Sequence, residues 1–383
     1  SSAFDGRWQF TAGVYYQDLE AVRGYPPALQ LGVNDALNAF IGAPANIVPG
    51  DLIFVTNAPT DTKEFAVFGE ITFDINDQLS VTAGGRYYDT EVDGSQVSDG
   101  FANGGPSSFD ASQDESGFNP RAVLEYQASE DVNLYASASK GFRIGGVNGN
   151  VPLGLCGAEL DALGLSPSNA TVFDSDELWS YEIGVKSNLF NNSVTLNAAA
   201  FFIDWTDIQQ INRLACGFQF TDNAGEAESK GFELELNAAP NENLVLSLGI
   251  GYTSAEITDT GGVAGVSKGD EIQGVPEWTV NGSASYFFDL NDAWRGFVRA
   301  DFNHYGESFS ANNEASAANQ RKRDSWEALN LRAVFMNEKY ELTVFADNVT
   351  DERANLADNR SIAAETPGRQ RLVTNRPRTI GLE

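Results

Sequence analysis

Residues 244–252 read LVLSLGIGY. Taken alternately, Leu244, Leu246, Leu248, Ile250 and Tyr252 share one face of an extended chain, and Val245, Ser247, Gly249 and Gly251 share the other. Successive side chains of a strand point to opposite sides, so one face here is apolar and the other small or polar. The pattern recurs along 383 residues. Its runs of about ten to fourteen residues are joined alternately by a long polar loop and a very short turn, as in a transmembrane antiparallel β-barrel.

Working outward from that stretch, the first run covers about 7–18, and 19–62 is read as a long loop with a short helix near 28–40. The next runs are 63–75 and 78–91, joined by Asn76-Asp77; 117–127 and 132–143, joined by ASED; and 176–189 and 193–213, joined by Asn191-Asn192. Then come 227–238 and 243–257 around PNEN, 276–289 and 293–306 around Asn291-Asp292, and 324–336 and 339–349 around Asn337-Glu338. A last run begins near 370 and stops at Glu383. The total is about fourteen strands, with the short turns expected on the periplasmic side and the long loops outside. No linker interrupts the chain, so 1–383 is read as one barrel domain. A soluble sandwich, the competing all-β reading, would not sort its loops by length so strictly.

Charged residues such as Glu70, Arg86, Arg121, Glu182, Lys186, Glu233, Arg299, Asp301 and Arg332 all have the parity of the polar face. A charge near the bilayer midplane costs about 2–4 kcal/mol, so this face must line a wet or plugged lumen. Phe65, Val67, Ile71, Ile183, Leu234, Leu331 and Val344 have the opposite, lipid-facing parity. Trp8, Tyr16, Tyr181, Trp278 and Tyr286 fall near strand ends, where interfacial aromatics belong.

Composition removes other classes. The net charge of −30 argues against nucleic acid. No apolar run reaches the roughly 20 residues of a spanning helix. One histidine, His304, and two cysteines without a CxxC spacing leave no His-based triad and no His-rich metal site. No catalytic residue, metal ligand or cofactor is assigned. The opening SSAFDGRW has neither the basic nor the apolar region of a signal peptide, so the chain reads as a mature form or a fragment.

At 134–148 the chain reads LYASASKGFRIGGVN. This resembles a segment of TonB-dependent outer-membrane receptors in which a strand rises to the outer rim and ends in a Gly-Gly-x-Asn loop start. ELWSYEIGVK at 177–186, SKGFELEL at 229–236, FADNVTDERAN at 345–355 and RPRTIGLE at 376–383 are similar to further segments of that family, in the same order. The resemblance implies a barrel of about 22 strands filled by an N-terminal plug. About fourteen strands would be present here, with the plug and first strands missing.

It implies active import across the outer membrane of a Gram-negative bacterium, driven through the plug by the inner-membrane TonB complex. An extracellular ferric siderophore or other iron chelate is the first expectation. A glycan or an aromatic compound is an alternative ligand, and a passive diffusion porin an alternative protein. Arg143, Asn148 and Arg213, where inward parity meets the outer rim, are candidates for touching an anionic chelate. Rim pairing with acidic loops is the competing role. Trp179 and Trp205 could stack on a ligand or anchor an interfacial girdle. Cys156 and Cys216 lie in consecutive outer loops and are expected to form a disulfide.

Overall fold

The computed structural model describes residues 2–3, 6–29, 34–35, 48–162, 171–214, 218–261, 267–310, 322–359 and 371–383. One antiparallel sheet follows the order of the chain. Its strands are β1 (Trp8–Leu29), β2 (Leu52–Asn76), β3 (Leu79–Asp99), β4 (Ser107–Ser129), β5 (Val132–Arg143), β6 (Asp176–Leu189) and β7 (Val194–Thr206). They continue as β8 (Glu226–Asn241), β9 (Leu244–Asp259), β10 (Trp278–Asn291), β11 (Trp294–Tyr305), β12 (Trp326–Met336), β13 (Glu341–Asp347) and β14 (Thr379–Leu382). A two-residue strand, Ser2–Ala3, pairs with Phe10 and Gln9 of β1. The sheet order is linear, and among the described residues no ladder joins its first member to its last.

The register explains why the alternation matters. Leu246, Leu248, Ile250 and Tyr252 stand opposite Ala238, Leu236, Leu234 and Phe232 of β8, and opposite Ala284, Gly282, Val280 and Trp278 of β10. The Phe232 row runs on through Ala200, Ile183 and Ala136 of β7, β6 and β5. Each strand's apolar parity therefore lands beside its neighbours' to form a continuous belt, and a slip of one residue would invert it. The belt is not a core. Val14 is 74% exposed and Ile183 63%, an arrangement that suits lipid rather than water.

Aromatic side chains rim the belt on both sides. Trp179, Tyr181 and Phe202 form one stacked row, and Phe232 stacks on Tyr252 with Trp278 set edge-on and tilted against them, all at the loop end. Trp8 with Phe73, and Phe288 with Tyr286 and Phe335, mark the turn end. From Tyr252 down to Leu244, which faces Tyr286, a strand at about 3.4 Å per residue and about 40° tilt climbs roughly 21 Å, close to the apolar band of about 25 Å in membrane barrels.

The short turns owe their geometry to asparagine. The Asn76, Asn241, Asn291 and Asn337 side-chain carbonyls each accept a backbone N–H from two residues further on, at 2.8–3.0 Å. At 190–192 the turn uses positive φ instead, at Phe190, Asn191 and Asn192, and asparagine tolerates that region better than most residues.

The structure departs from the sequence reading in the outer segments. β1, β2, β3 and β4 have 22, 25, 21 and 23 residues, and so rise far above the about 9–11 that span a bilayer. Much of 19–62 and 92–116, read as loop, is thus strand. Of the expected helix at 28–40, Ala28 and Leu29 end β1, Asn34 and Asp35 are helical, and 30–33 and 36–40 lie outside the described residues. A helix not expected from the sequence, α1 (Leu153–Ala162), sits in the loop after β5. The run read as 193–213 breaks at Asp207, whose φ is 54°. Gln209–Arg213 then folds onto Gln219–Asn223 as a separate two-stranded ribbon.

Candidate functional site

On the face opposite the belt, the charges find partners. Arg86 reaches Glu64 at 2.5 Å, Arg121 pairs with Glu70, and Arg299 with Asp301 at 2.6 Å. The YEIGVK stretch becomes intelligible here. Tyr181 belongs to the outer aromatic row, while Glu182 accepts the Tyr135 hydroxyl at 2.6 Å. Gly184 leaves room for that ring, which a Cβ would meet at 2.6 Å. Lys186 caps the ring at 5.2 Å. One tyrosine thus explains three residues at alternate positions.

The inner wall leads up to a built mouth. The β4–β5 ladder stops at Arg121 opposite Ser139, whereas β5 and β6 stay paired to Arg143 opposite Asp176. Above the fork, the loop after β5 packs on the extended β3–β4 sheet. The Glu115 carboxylate accepts the Gly145 N–H at 3.2 Å, the Ser175 N–H at 2.7 Å and the Ser175 hydroxyl. Gln96 accepts the Asn150 N–H at 3.0 Å. Phe142 stacks on buried Tyr88, 3.7 Å between ring centroids and 10° between planes.

At the centre of this mouth, the Asp176 side chain is 2% exposed and binds Arg143 through both carboxylate oxygens, while the Arg143 side chain remains 51% exposed. Asp176 also accepts the Gln209 N–H at 3.2 Å. The Arg143 guanidinium lies over the Trp205 ring at 4.8 Å. Trp205 packs in turn against buried Ile208, Ala227 and Ile257. Trp205 is therefore an inner-wall residue and Trp179 a girdle residue, which separates the two roles left open for them.

Asn148 is buried and clamps the ribbon, donating to the Thr221 carbonyl at 2.6 Å and accepting the Thr221 N–H at 2.7 Å. Arg213 pairs through its backbone with Gln219, and its side chain lies outside the described residues. Cys156 is 1% exposed in a cluster with Val151, Leu160, Leu214 and Phe220, and no described cysteine is a free thiol. Cys216 lies outside the described residues. The structure brings the loop carrying Asn148 and Cys156 against the ribbon carrying Arg213. It places Arg143 beside them at the base of both.

Asp176, Glu115 and the Tyr88–Phe142 stack were missed in the sequence. Aligning the apolar faces of 132–143 and 176–189 would have put Asp176 opposite Arg143. Nothing comparable marks Glu115, because its whole surroundings are polar. In the ribbon, burial pushes the Asp222 carboxyl up from its ordinary value.

The FADNVTDERAN stretch forms a knot at the outer end of β13. Asn348, buried and at φ 50°, donates to the carbonyls of Glu352 and Arg376, each at 2.9 Å, and accepts the Glu352 N–H at 3.0 Å. Asp351 accepts the Arg378 N–H at 3.0 Å. That bond, with Arg353 and Arg378 close by, holds the Asp351 carboxyl below its ordinary range. Among the described residues no group of three or more His, Cys, Asp or Glu could hold a metal ion.

Residues 1–349 match the family described as TonB dependent receptor-like, beta-barrel. The metal-pseudopaline receptor of Pseudomonas aeruginosa is 29% identical over 175 residues, covering 46% of this chain and 21% of that receptor. The pesticin receptor of Yersinia enterocolitica is 24% identical over 180 residues, covering 46% and 24%. Among solved structures, the ferric yersiniabactin uptake receptor of Yersinia pestis superimposes with a TM-score of 0.77 at 17% identity, covering all of this chain and 51% of that one. The ferric-catecholate import receptor of E. coli K12 gives 0.65 at 16% identity, covering 98% and 51%. The chain spans about half the length of the solved receptors it matches.

Proposed function

Because this chain belongs to the TonB-dependent receptor-like β-barrel family of the Gram-negative outer membrane, we propose that it forms the barrel wall and ligand mouth of an importer for an iron chelate. The observation that carries this reading is the mouth itself. Two outer loops are bonded to each other and to the inner wall at Glu115, Asn148 and Asp176, which leaves a half-exposed arginine facing the lumen side. A diffusion pore gains nothing from such construction, whereas a receptor binds more tightly when its site is pre-ordered.

Three of the four relatives named above, all but the pesticin receptor, carry metallophore or ferric-chelate names, which supports iron over a glycan. Arg143, Asn148 and Arg213 remain the proposed rim of the ligand site. Residues 1–383 act together as the barrel domain, and energy comes from the TonB complex through a plug. A Cys156–Cys216 disulfide ties the α1 loop to the ribbon. The lack of a free thiol at Cys156 supports it.

Growth of a deletion strain on a panel of iron chelates and oligosaccharides, each as sole source, tests the reading. Loss of growth on one or more chelates is expected. Loss confined to an oligosaccharide would replace iron by a glycan, and no loss at all would remove the importer.

A further inference from the structure

The group at the mouth has an unusual division of surfaces. Arg143 presents Nε and Nη2 to Asp176 and one guanidinium face to the Trp205 indole. Asp176 is buried, and it is fixed a second time by the Gln209 N–H. The indole is fixed by its cluster of buried aliphatic side chains. In a side chain 51% exposed, what these contacts leave unused is the other guanidinium face and the Nη1 edge.

We infer that Arg143 is a stacking platform for a planar aromatic or heteroaromatic ring of the ligand, with Asp176 and Trp205 as its positioning residues. The inference rests on the proposed import of an iron chelate and narrows the chelate to one that carries a ring.

Three physical points lead there. First, Asp176 already neutralises the guanidinium. A ligand carboxylate at the remaining Nη1 edge would meet a guanidinium whose charge a buried, bidentate partner already balances, so it gains little Coulomb attraction. Second, the surroundings are acidic. Glu115 and Asp174 hold the adjoining loop, so a further anion is repelled. Third, a ring lands face-on without displacing any existing bond, since guanidinium planes stack on π faces as well as forming edge hydrogen bonds. The Trp205 backing keeps the plane from rotating, so little side-chain freedom is lost on binding.

The test uses the receptor in its native outer membrane and two neutral probes that differ only in a ring: the iron(III) tris(benzohydroxamate) and iron(III) tris(acetohydroxamate) complexes. The platform predicts a preference for the benzohydroxamate complex of roughly 3- to 10-fold, the range expected for one cation–π contact. That preference should be unaltered between low and high salt. Arg143→Lys keeps the charge and removes the planar face backed by Trp205, so the ratio of benzohydroxamate to acetohydroxamate affinity should fall toward one, whatever the change in affinity for either complex alone. Asp176→Asn should weaken the preference, and Asp176→Glu should restore it. Resistance of the barrel to SDS without heating checks that each variant is folded.

A wild-type receptor that binds both complexes equally, or an Arg143→Lys variant that keeps the preference, overturns the platform while leaving iron import standing. If neither complex binds and an oligosaccharide does, both readings are overturned.

Discussion

Replacing Ile183 with lysine places a charge halfway along β6, between the girdle residue Trp179 and the turn-end residue Leu189. Ile183 is 63% exposed, with Ala136 and Ala200 as its cross-strand neighbours. No carboxylate stands on either adjacent strand in that rung. If the surface is lipid, the lysine costs about 2–4 kcal/mol, the depth-dependent penalty near a bilayer midplane. That is roughly 30- to 700-fold in the folding equilibrium, at about 1.4 kcal/mol per tenfold.

The control is Ala199→Lys, one position removed on β7 and on the opposite face. Ala199 stands directly opposite Glu233, so the new ammonium gains a partner in a wet lumen, and the expected change lies within about 0.5 kcal/mol. Urea unfolding in lipid vesicles, followed by the loss of SDS resistance, measures both. Equal losses for the two variants, or a neutral Ile183→Lys, would refute the claim that parity separates lipid from lumen.

Other expectations are more local. Asn348→Ala should destabilise the outer end of β13 by about 2–3 kcal/mol, because two carbonyls and one N–H lose their partner and alanine is strained at positive φ; thermal unfolding checks it. Asp351 contributes stability that is complete above its ordinary pKa near 3.8 and is lost as the pH falls through its depressed folded value. As the pH falls below about 3.8 the wild type should therefore lose more stability than Asp351→Asn, and an equal loss would contradict the assignment. Thiol titration of denatured, non-reduced protein should find none of the two cysteines free, and two after reduction. Two free thiols before reduction would remove the bridge.

How much was legible depended on where lipid imposes a pattern. At membrane height every second residue must be apolar, so the strands, their parity and the six short turns could be read from stretches such as LVLSLGIGY and from the Asn-containing pairs between them. Above that height the constraint disappears. In β3 and β4, Asp93, Ser95 and Val97 alternate with Gly94, Gln96 and Ser98, and Asp110, Ser112 and Asp114 alternate with Ala111 and Gln113. Both faces of these runs are largely polar, so they resemble loop even though they are strand.

The helix α1 left one faint sign, Cys156 and Leu160 four residues apart and both buried, among glycines that weaken helical propensity. The mouth was half legible. Arg143 and Trp205 could be singled out by rim position and residue type, but their contact depends on a ribbon that the sequence reads as a continuation of β7. Asp207, at positive φ, is where the chain leaves the wall, and an Asp in a Thr-Asp-Ile context does not announce such a break.

The central claim, that this sheet stands in the outer membrane with one face to lipid and the other to a hydrated lumen, is tested most directly by single cysteines at 181 to 186 in intact membranes. With position 184 kept as glycine to make room for the Tyr135 ring, labelling with a water-soluble maleimide should alternate: positions 182 and 186 react, and 181, 183 and 185 are protected. Uniform labelling, or protection of the even positions, would contradict the account.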